Sequence, residues 1–312
     1  MHTKQIGKNL YLIDIETGGY RDFIGSYVIK TAKKVTLIET GPTSSVPNLI
    51  CGLAELKVNL EDVDTVAISH IHLDHGGGVG TLLRDYLPNA KVFVHPKGVP
   101  HIVNTEKLWA SSQSVLGFVS EVCGRPESVP QDRIVPITDG SIDLGDGGKL
   151  TVLETLGHAA HNLSFHESFN NGIFVGDTAG VYFPEFDLVS PTSPPPFYLK
   201  ASIASLDRLI SYCPSALYYT HFGNVNDAIR RLRGYRAQLL MWDKIVQSAV
   251  EQDKSFEQII ECVITEDPLM NRLSNFLMGH KIYSKMAIEN SICGFVEYAK
   301  KTQNKQVSLN VL

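Results

Sequence analysis

The stretch Ser69-His70-Ile71-His72-Leu73-Asp74-His75-Gly76-Gly77-Gly78 places three histidines and one carboxylate within six consecutive positions. Imidazole and carboxylate groups at this density suit a divalent first-row metal ion, zinc first, with iron or manganese as alternatives. His70 and His72 are two apart, so in extended backbone they project to one side and can share an ion. Asp74 and His75 follow closely enough to reach a second ion a few ångströms away. A lone histidine is usually a solvated loop residue. Three beside an aspartate are not accounted for that way.

Val66-Ala67-Ile68 reads as a short buried strand, so the cluster falls where the chain leaves a sheet and ligands can point into a cleft. Other histidines and carboxylates stand at comparable places. His158 follows Leu153-Glu154-Thr155-Leu156-Gly157, Asp177 follows Phe174-Val175-Gly176, and His221 follows Tyr218-Tyr219-Thr220. Each alone is a weak signal, whereas the set supplies what a two-ion site needs beyond its first loop. His95 ends Lys91-Val92-Phe93-Val94 and reads either as a capping residue or as a group behind a ligand.

The 312 residues are 43% hydrophobic and 20% charged, with 28 basic against 33 acidic residues and a formal net charge of −5, which describes a globular chain able to bury a core. No apolar run approaches the roughly 18 residues of a spanning helix, and Met1-His2-Thr3-Lys4 lacks a secretory apolar segment, so a cytoplasmic protein without a membrane partner is expected. The acidic balance argues against a nucleic-acid partner. Arg230-Arg231-Leu232-Arg233 is the local exception, read as the solvated side of a helix. Cys51, Cys123, Cys213, Cys262 and Cys293 are odd in number and scattered, and are expected to be reduced and mostly buried.

Three β-rich runs, Asn9–Asp14, Ser26–Ile29 and Val35–Ile38, precede a helix with Leu49, Ile50, Leu53 and Leu56 on one face. The metal strand, a second helix and the strand Lys91–Val94 follow. An irregular helical insertion from Val99 to Gly124 could wall a pocket. A second run of strands between Arg133 and Asp177 mirrors the first, which suggests two stacked sheets with helices outside. Tyr182–Tyr198, with Pro184, Pro191, Pro194, Pro195 and Pro196, is expected to be neither helix nor sheet. Ala216–Thr220 is read as the last strand. Helical periodicity without strands then marks residues 224–312 as an extension that must pack on the first 223 residues or on a second subunit, with a homodimer one way to cover it.

His70-x-His72-x-Asp74-His75 resembles the signature of the metallo-β-lactamase fold superfamily, whose members are mostly dinuclear metallohydrolases. The resemblance covers about residues 8–223. It implies an α+β fold, a four-layer αββα sandwich, here with the helical C-terminal extension, and metals at one edge between the sheets. It also implies a ligand set: His70, His72 and His158 for the first ion, Asp74, His75 and His221 for the second, and Asp177 bridging. Gly157-His158-Ala159-Ala160-His161-Asn162 is similar to the family's Gly-His-(Thr/Ser)-x-Gly-His segment, with His161 at the usual glycine and Asn162 at the second histidine. Glu39 stands where many members have the aspartate of an Asp-Thr-Gly turn, so the acid's usual bond to a ligand histidine would be made with a longer arm.

Two divalent cations on one water lower its pKa from about 15.7 to roughly 7, so hydroxide is the expected nucleophile. No G-x-S-x-G elbow offers a side-chain rival. Asp74 is the candidate proton carrier, and Tyr182 the candidate hydroxyl near the substrate oxygen. Trp109, Phe118, Tyr182, Phe183, Phe186, Phe197 and Tyr198 suggest a partly hydrophobic pocket for a small-molecule lactone, thioester or carboxylic ester. Phosphodiester hydrolysis is the alternative. Iron-based redox chemistry is a rival that the family resemblance makes less apt, since such members carry glutamate where His72 stands. A binding or signalling protein that keeps the metal site with little turnover is the alternative of another class.

Overall fold

The computed structural model describes residues 2–310; residue 1 and the last two residues of the expected extension lie outside that description. Strands β1 (Thr3–Gly7), β2 (Leu10–Asp14), β3 (Gly25–Lys30), β4 (Val35–Ile38), β5 (Val63–Ala67), β6 (Lys91–Val94) and β7 (Ile134–Pro136) form one sheet in sequence order. After β8 (Gly140–Gly145), β9 (Gly148–Glu154), β10 (Leu163–Glu167) and β11 (Gly172–Gly176), a separate hairpin of β12 (Val181–Phe183) and β13 (Leu188–Ser190) precedes β14 (Ala216–Tyr219) and β15 (Gly223–Val225). The second sheet runs β15-β14-β11-β10-β9-β8.

The two-residue period of the strands sorts their side chains into two layers of core. Leu10, Leu12, Tyr27 and Ile29 of the first sheet meet Val152, Leu163, Phe165, Phe174 and Tyr218 of the second in one buried cluster. Their sequence neighbours Ile13, Val28, Leu37, Ile173, Val175 and Leu217 face outward, into a cluster shared with the helices. Sheet against sheet with helices outside is the four-layer sandwich. Between the sheets the Tyr27 hydroxyl donates to the Tyr219 carbonyl at 2.5 Å, which pins β3 to the end of β14.

Helices α1 (Val46–Glu55), α2 (Leu73–Gly76), α3 (Val79–Asp85), α4 (Val99–Val103), α5 (Glu106–Leu116) and α6 (Phe118–Cys123) connect the strands of the first sheet, and α7 (Leu199–Ser211) leads into β14. Strands β4 to β7 pair in parallel, as do β11 and β14. Parallel pairing carries C-terminal strand ends to a common edge, where β5 leads into the first histidine loop, β11 into Asp177 and β14 into His221; β9, antiparallel to β8 and β10, runs the same way as β11 and leads toward His158.

The extension is α8 (Ala228–Glu251), α9 (Phe256–Glu266), α10 (Pro268–Gly279), α11 (Lys281–Tyr283), a π-helical stretch Ser284–Glu289 and α12 (Asn290–Asn310). Leu232, Leu239, Trp242 and Val246 recur along one face of α8 and are buried. Asp267 ties the bundle together: its Oδ2 accepts from Trp242 Nε1 and Gln238 Nε2, both at 2.8 Å, while Oδ1 caps α10 through the Leu269 N–H. The helices dock on their own chain. Ser291 Oγ donates to the Pro191 carbonyl at 3.0 Å, and a Cβ on Gly294 would lie 1.9 Å from the Ser193 carbonyl oxygen, so only glycine lets α12 approach that loop. No helix among the described residues is long and apolar enough to cross a membrane.

Four expectations change. Tyr182–Tyr198 contains sheet, because Pro184 falls in the hairpin turn and Pro191 follows β13, where neither removes a ladder bond. Ala216–Tyr219 is followed by one more strand, β15, too short to show a period. Arg231 is not solvated: it ion-pairs with Asp227 and Asp187 and leaves 9% of its side chain exposed. Only Cys123 among the five free cysteines is buried, and Cys51 and Cys213 are exposed.

Candidate metal centre

The first loop leaves β5 through Ile68 and Ser69 and turns at once into the single helical turn α2, which carries Asp74 and His75. His70 Nε2 lies 2.9 Å from His72 Nδ1, and His158 Nε2 lies 3.1 Å from the same atom. Across from them, His221 Nε2 lies 3.3 Å and His75 Nε2 3.8 Å from Asp74 Oδ2. Asp177 stands between the groups: Oδ1 is 3.2 Å from His75 Nε2 and 3.9 Å from His221 Nε2, while Oδ2 is 3.4 Å from His158 Nε2. Donor atoms of His70, His72 and His158, and separately those of Asp74, His75 and His221, lie within 4.8 Å of one another. The seven residues named from the sequence therefore converge as two triads with a carboxylate between them.

The far side of four rings decides which nitrogen faces inward. His75 Nδ1 bonds Glu39 Oε2 at 2.9 Å, His158 Nδ1 the Thr192 carbonyl at 2.9 Å, His221 Nδ1 the Phe23 carbonyl at 3.1 Å, and His70 Nδ1 the Ser69 hydroxyl at 3.0 Å. A carbonyl or carboxylate accepts only, so at His75, His158 and His221 Nδ1 holds a proton and Nε2 is the nitrogen turned to the centre, whereas the Ser69 hydroxyl beside His70 can donate or accept. Asp177 owes its place to Gly176, whose φ of +50° and whose approach to Ser69, 2.6 Å from a built Cβ, admit glycine alone. His75 Nε2, His221 Nε2 and Asp177 Oδ1 are buried without a hydrogen bond. Leaving such groups unsatisfied costs about 1–3 kcal/mol each, and a cation between them would satisfy all three at once. The donor set thus fits divalent metal.

The charges agree. Burial, then His158 and His161, push His72 down to about 3, and burial with His75 lowers His70 well below the usual range, so both imidazoles are neutral at pH 7. Burial raises the carboxyls of Asp74 and Asp177, but His75 with His221, and His75 with His158, outweigh it and hold both below the ordinary value. At His75 burial lowers the pKa, whereas Asp177, Asp74 and Glu39 together lift it well above normal. That ring keeps a proton in the metal-free chain, which metal binding must release.

A sequence pattern for the Metallo-beta-lactamase superfamily matches residues 19–221. The chain belongs to that superfamily. It is 30% identical over 208 residues to the metallo-beta-lactamase fold-containing protein ST1585 of Sulfurisphaera tokodaii, which covers 65% of this chain and 74% of the relative. The solved structure of ST1585 from Sulfolobus tokodaii superposes with a TM-score of 0.65 at 28% identity, covering 75% of this chain and 86% of that one. The metallo-beta-lactamase family protein TTHA1429 from Thermus thermophilus shares the fold, with a TM-score of 0.65 at 21% identity over 90% of this chain and 89% of its own. A more distant relative is the atrochrysone carboxyl ACP thioesterase dmxR1 of a Cryptosporiopsis species, 23% identical over 235 residues, or 75% of this chain and 59% of the relative.

The departures from the superfamily pattern now have structural accounts. Glu39 makes the longer-armed bond to His75 and also accepts from the Ser69 N–H at 2.6 Å, at the cost of a left-handed φ of +64°. Glu39→Gln would turn an amide N–H or a weaker acceptor toward His75 Nδ1 and release the tautomer. A 10- to 100-fold loss of metal affinity, of about the size seen for such outer partners, is expected by competition with a chromogenic chelator. Unchanged affinity would reduce Glu39 to a turn residue. Asn162 donates to the Thr155 carbonyl at 3.0 Å and to Thr178 Oγ1 at 2.7 Å, bracing the segments that carry His158 and Asp177.

A cavity of about 430 Å³ opens over His72, Asp74, His158 and Asp177. His161 also lines it, kept neutral by burial and by His158, which push it down to about 4, and its Nδ1 is buried without a partner. The insertion contributes wall, but through Leu108, Val115 and Leu116 of α5, with Pro194, Pro195 and Pro196 opposite. Trp109, Phe118, Tyr182, Phe183, Phe186, Phe197 and Tyr198 do not line it. Phe183 and Phe186 pack on Phe276, and Phe197 on Phe295. The Tyr182 hydroxyl donates to Asp187 Oδ1 at 3.0 Å, and its ring stacks on Tyr219 beneath the Arg231 guanidinium. Tyr182 is therefore no candidate for touching substrate. Its link to the centre runs through the main chain, where its N–H donates to the His221 carbonyl at 2.5 Å. His95 caps the turn after β6 by accepting from the Lys97 N–H and pairs with Glu154, not with a ligand.

Proposed function

We propose that this superfamily member is a two-metal hydrolase of an ester-type bond, a lactone, thioester or carboxylic ester, in a small molecule with an apolar body. The observation that supports this most is the join between centre and cavity: four of the seven ligand residues form one wall, and most of the rest is aliphatic and proline, with Lys107 the one lysine or arginine among the described lining residues. A phosphodiester chain would call for several cations there. The relative named as a thioesterase points the same way.

In this reading His70, His72 and His158 would hold one ion and Asp74, His75 and His221 the other, with Asp177 placed between the two groups to serve both. Divalent ions held so supply Lewis acidity and, near neutral pH, hydroxide from water. The chain does the rest. The Nδ1 bonds fix the imidazoles of His70, His75, His158 and His221 before substrate arrives, which removes reorganisation from the barrier. Asp74 lines the cavity with Oδ2 turned to His221, and among the described residues nothing donates to its Oδ1, which can take a proton and pass it to the leaving group. The apolar wall excludes competing water from the acyl side.

The test is a screen of protein reconstituted with zinc, manganese or iron against lactones, thioesters, carboxylic esters and a phosphodiester. Ester-type turnover that a chelator abolishes is expected. Turnover of the phosphodiester alone, or of nothing at full metal loading, would overturn the reading; the second outcome would favour a binding protein.

A further inference from the structure

Pro191-Thr192-Ser193-Pro194-Pro195-Pro196 follows β13 and takes no regular form. Prolines have no N–H, so a segment that holds four of them among six residues can build little structure of its own. The two N–H groups that remain both donate to side chains of the C-terminal helices, Thr192 to the Tyr235 hydroxyl of α8 at 3.5 Å and Ser193 to Ser291 Oγ of α12 at 3.2 Å. Ser291 Oγ in turn donates to the Pro191 carbonyl at 3.0 Å, and the Ser193 hydroxyl donates to the Ser291 carbonyl at 3.2 Å. One hydroxyl of the extension thus grips the main chain on both sides of Thr192. Thr192, Ser193, Tyr235 and Ser291 are all buried. The residue so gripped faces the candidate centre. Its carbonyl accepts from His158 Nδ1 at 2.9 Å, and its hydroxyl donates at 3.4 Å to Asp177 Oδ2, the oxygen nearest His158 Nε2. The rings of His70, His75 and His221 are braced at Nδ1 by Ser69, Glu39 and Phe23, which belong to the sandwich itself.

We propose that Ser291 and Tyr235 are positioning residues of the candidate metal centre: through Thr192 they set the ring of His158 and the Oδ2 side of Asp177, so the C-terminal helices are part of the centre and do more than buttress the sheet. The reach of the extension falls on the His70, His72 and His158 triad and leaves the Asp74, His75 and His221 triad to the sandwich. Loss of the grip therefore weakens one ion and spares the other. That asymmetry rests on the two-metal reading, whereas the hold on the His158 ring does not. A ring whose brace opens more often exchanges its Nδ1 proton faster, with or without metal.

The experiment uses the full chain as wild type, Ser291→Ala and Tyr235→Phe, with Ser190→Ala as control. Ser190 Oγ donates to Met270 Sδ at 3.5 Å, so the control removes a buried bond between the same loop and the same helices without touching the grip on Thr192. On metal-free protein, imidazole NMR follows the proton on His158 Nδ1. Its exchange should quicken roughly tenfold in Ser291→Ala, and less in Tyr235→Phe, whose bond is the longer, while the control matches wild type. On zinc-loaded protein, competition with a chelator should show one of the two ions held roughly tenfold more weakly in Ser291→Ala and the other unchanged, the low end of what loss of an outer partner costs. Tyr235→Phe carries both readouts if Ser291→Ala does not fold. An unchanged His158 proton in every variant that folds, equal weakening of both ions, or an equal effect in Ser190→Ala overturns the proposal, the last two because they mark general loosening of the fold. Wild type that takes up no zinc would sink the two-metal reading and leave the His158 proton to decide this one.

Discussion

Asp177→Ala is expected to abolish two-ion occupancy and to cut turnover by more than the roughly 10- to 100-fold that follows loss of an outer partner. Its two oxygens face different triads, Oδ1 at 3.2 Å from His75 Nε2 and Oδ2 at 3.4 Å from His158 Nε2, so no other single side chain serves both. Removing it also withdraws the largest of the charges that raise His75, and it leaves each triad one ligand short. Metal titration followed by elemental analysis should find at most one tightly held ion. Two ions retained with wild-type affinity would refute the bridging role. Because Asp177 is buried, Asp177→Asn is the control for shape: it keeps the volume and removes the charge, and it should lose the second ion as well.

Asp74→Asn separates ligation from proton transfer. The amide oxygen can still face the second triad, so metal content should fall modestly. Turnover should fall further, by about 10²–10⁴-fold, because an amide cannot carry the proton to the leaving group. The readout is the ratio of activity to bound metal across a metal titration. Equal losses in both would leave Asp74 as a ligand only.

The proposed ligands were legible because each is a metal-binding side chain shortly after a short apolar run, and strands that run the same way bring such ends together. The sandwich was legible for a related reason: period-two runs such as Leu10–Asp14 and Gly172–Gly176 send alternate residues to two different apolar layers. Glu39 could be read from its place in the Glu-Thr-Gly turn, and the structure supplies its bond to His75. The cavity wall was legible as a segment, since the insertion Val99–Gly124 does supply Leu108, Val115 and Leu116, but its aromatic candidates were not the residues that line it. Aromatic residues in the proline-rich segment serve a core as well as a pocket, and Phe183, Phe186 and Phe197 were drawn to Phe276 and Phe295 of helices more than 70 residues away in sequence. Tyr182 failed for the same reason, since its hydroxyl finds Asp187 five positions on, inside a hairpin that prolines concealed. The residues that do form the wall, Leu108, Val115 and Leu116, lie on a helix with no fully buried side chain, so no periodic apolar stripe announced them. His161 carried a signal, its intrusion at a position where the superfamily has glycine, but only the fold shows that it faces the cavity.

The central claim is that seven side chains of this chain hold two divalent ions. The most direct test is metal stoichiometry on the wild-type protein: strip it with chelator, reconstitute with zinc or manganese, remove free metal, and measure ions per chain by elemental analysis. The account predicts two per chain, falling to one or fewer in Asp177→Ala. No uptake by the folded wild-type chain, or uptake that Asp177→Ala leaves unchanged, would contradict it.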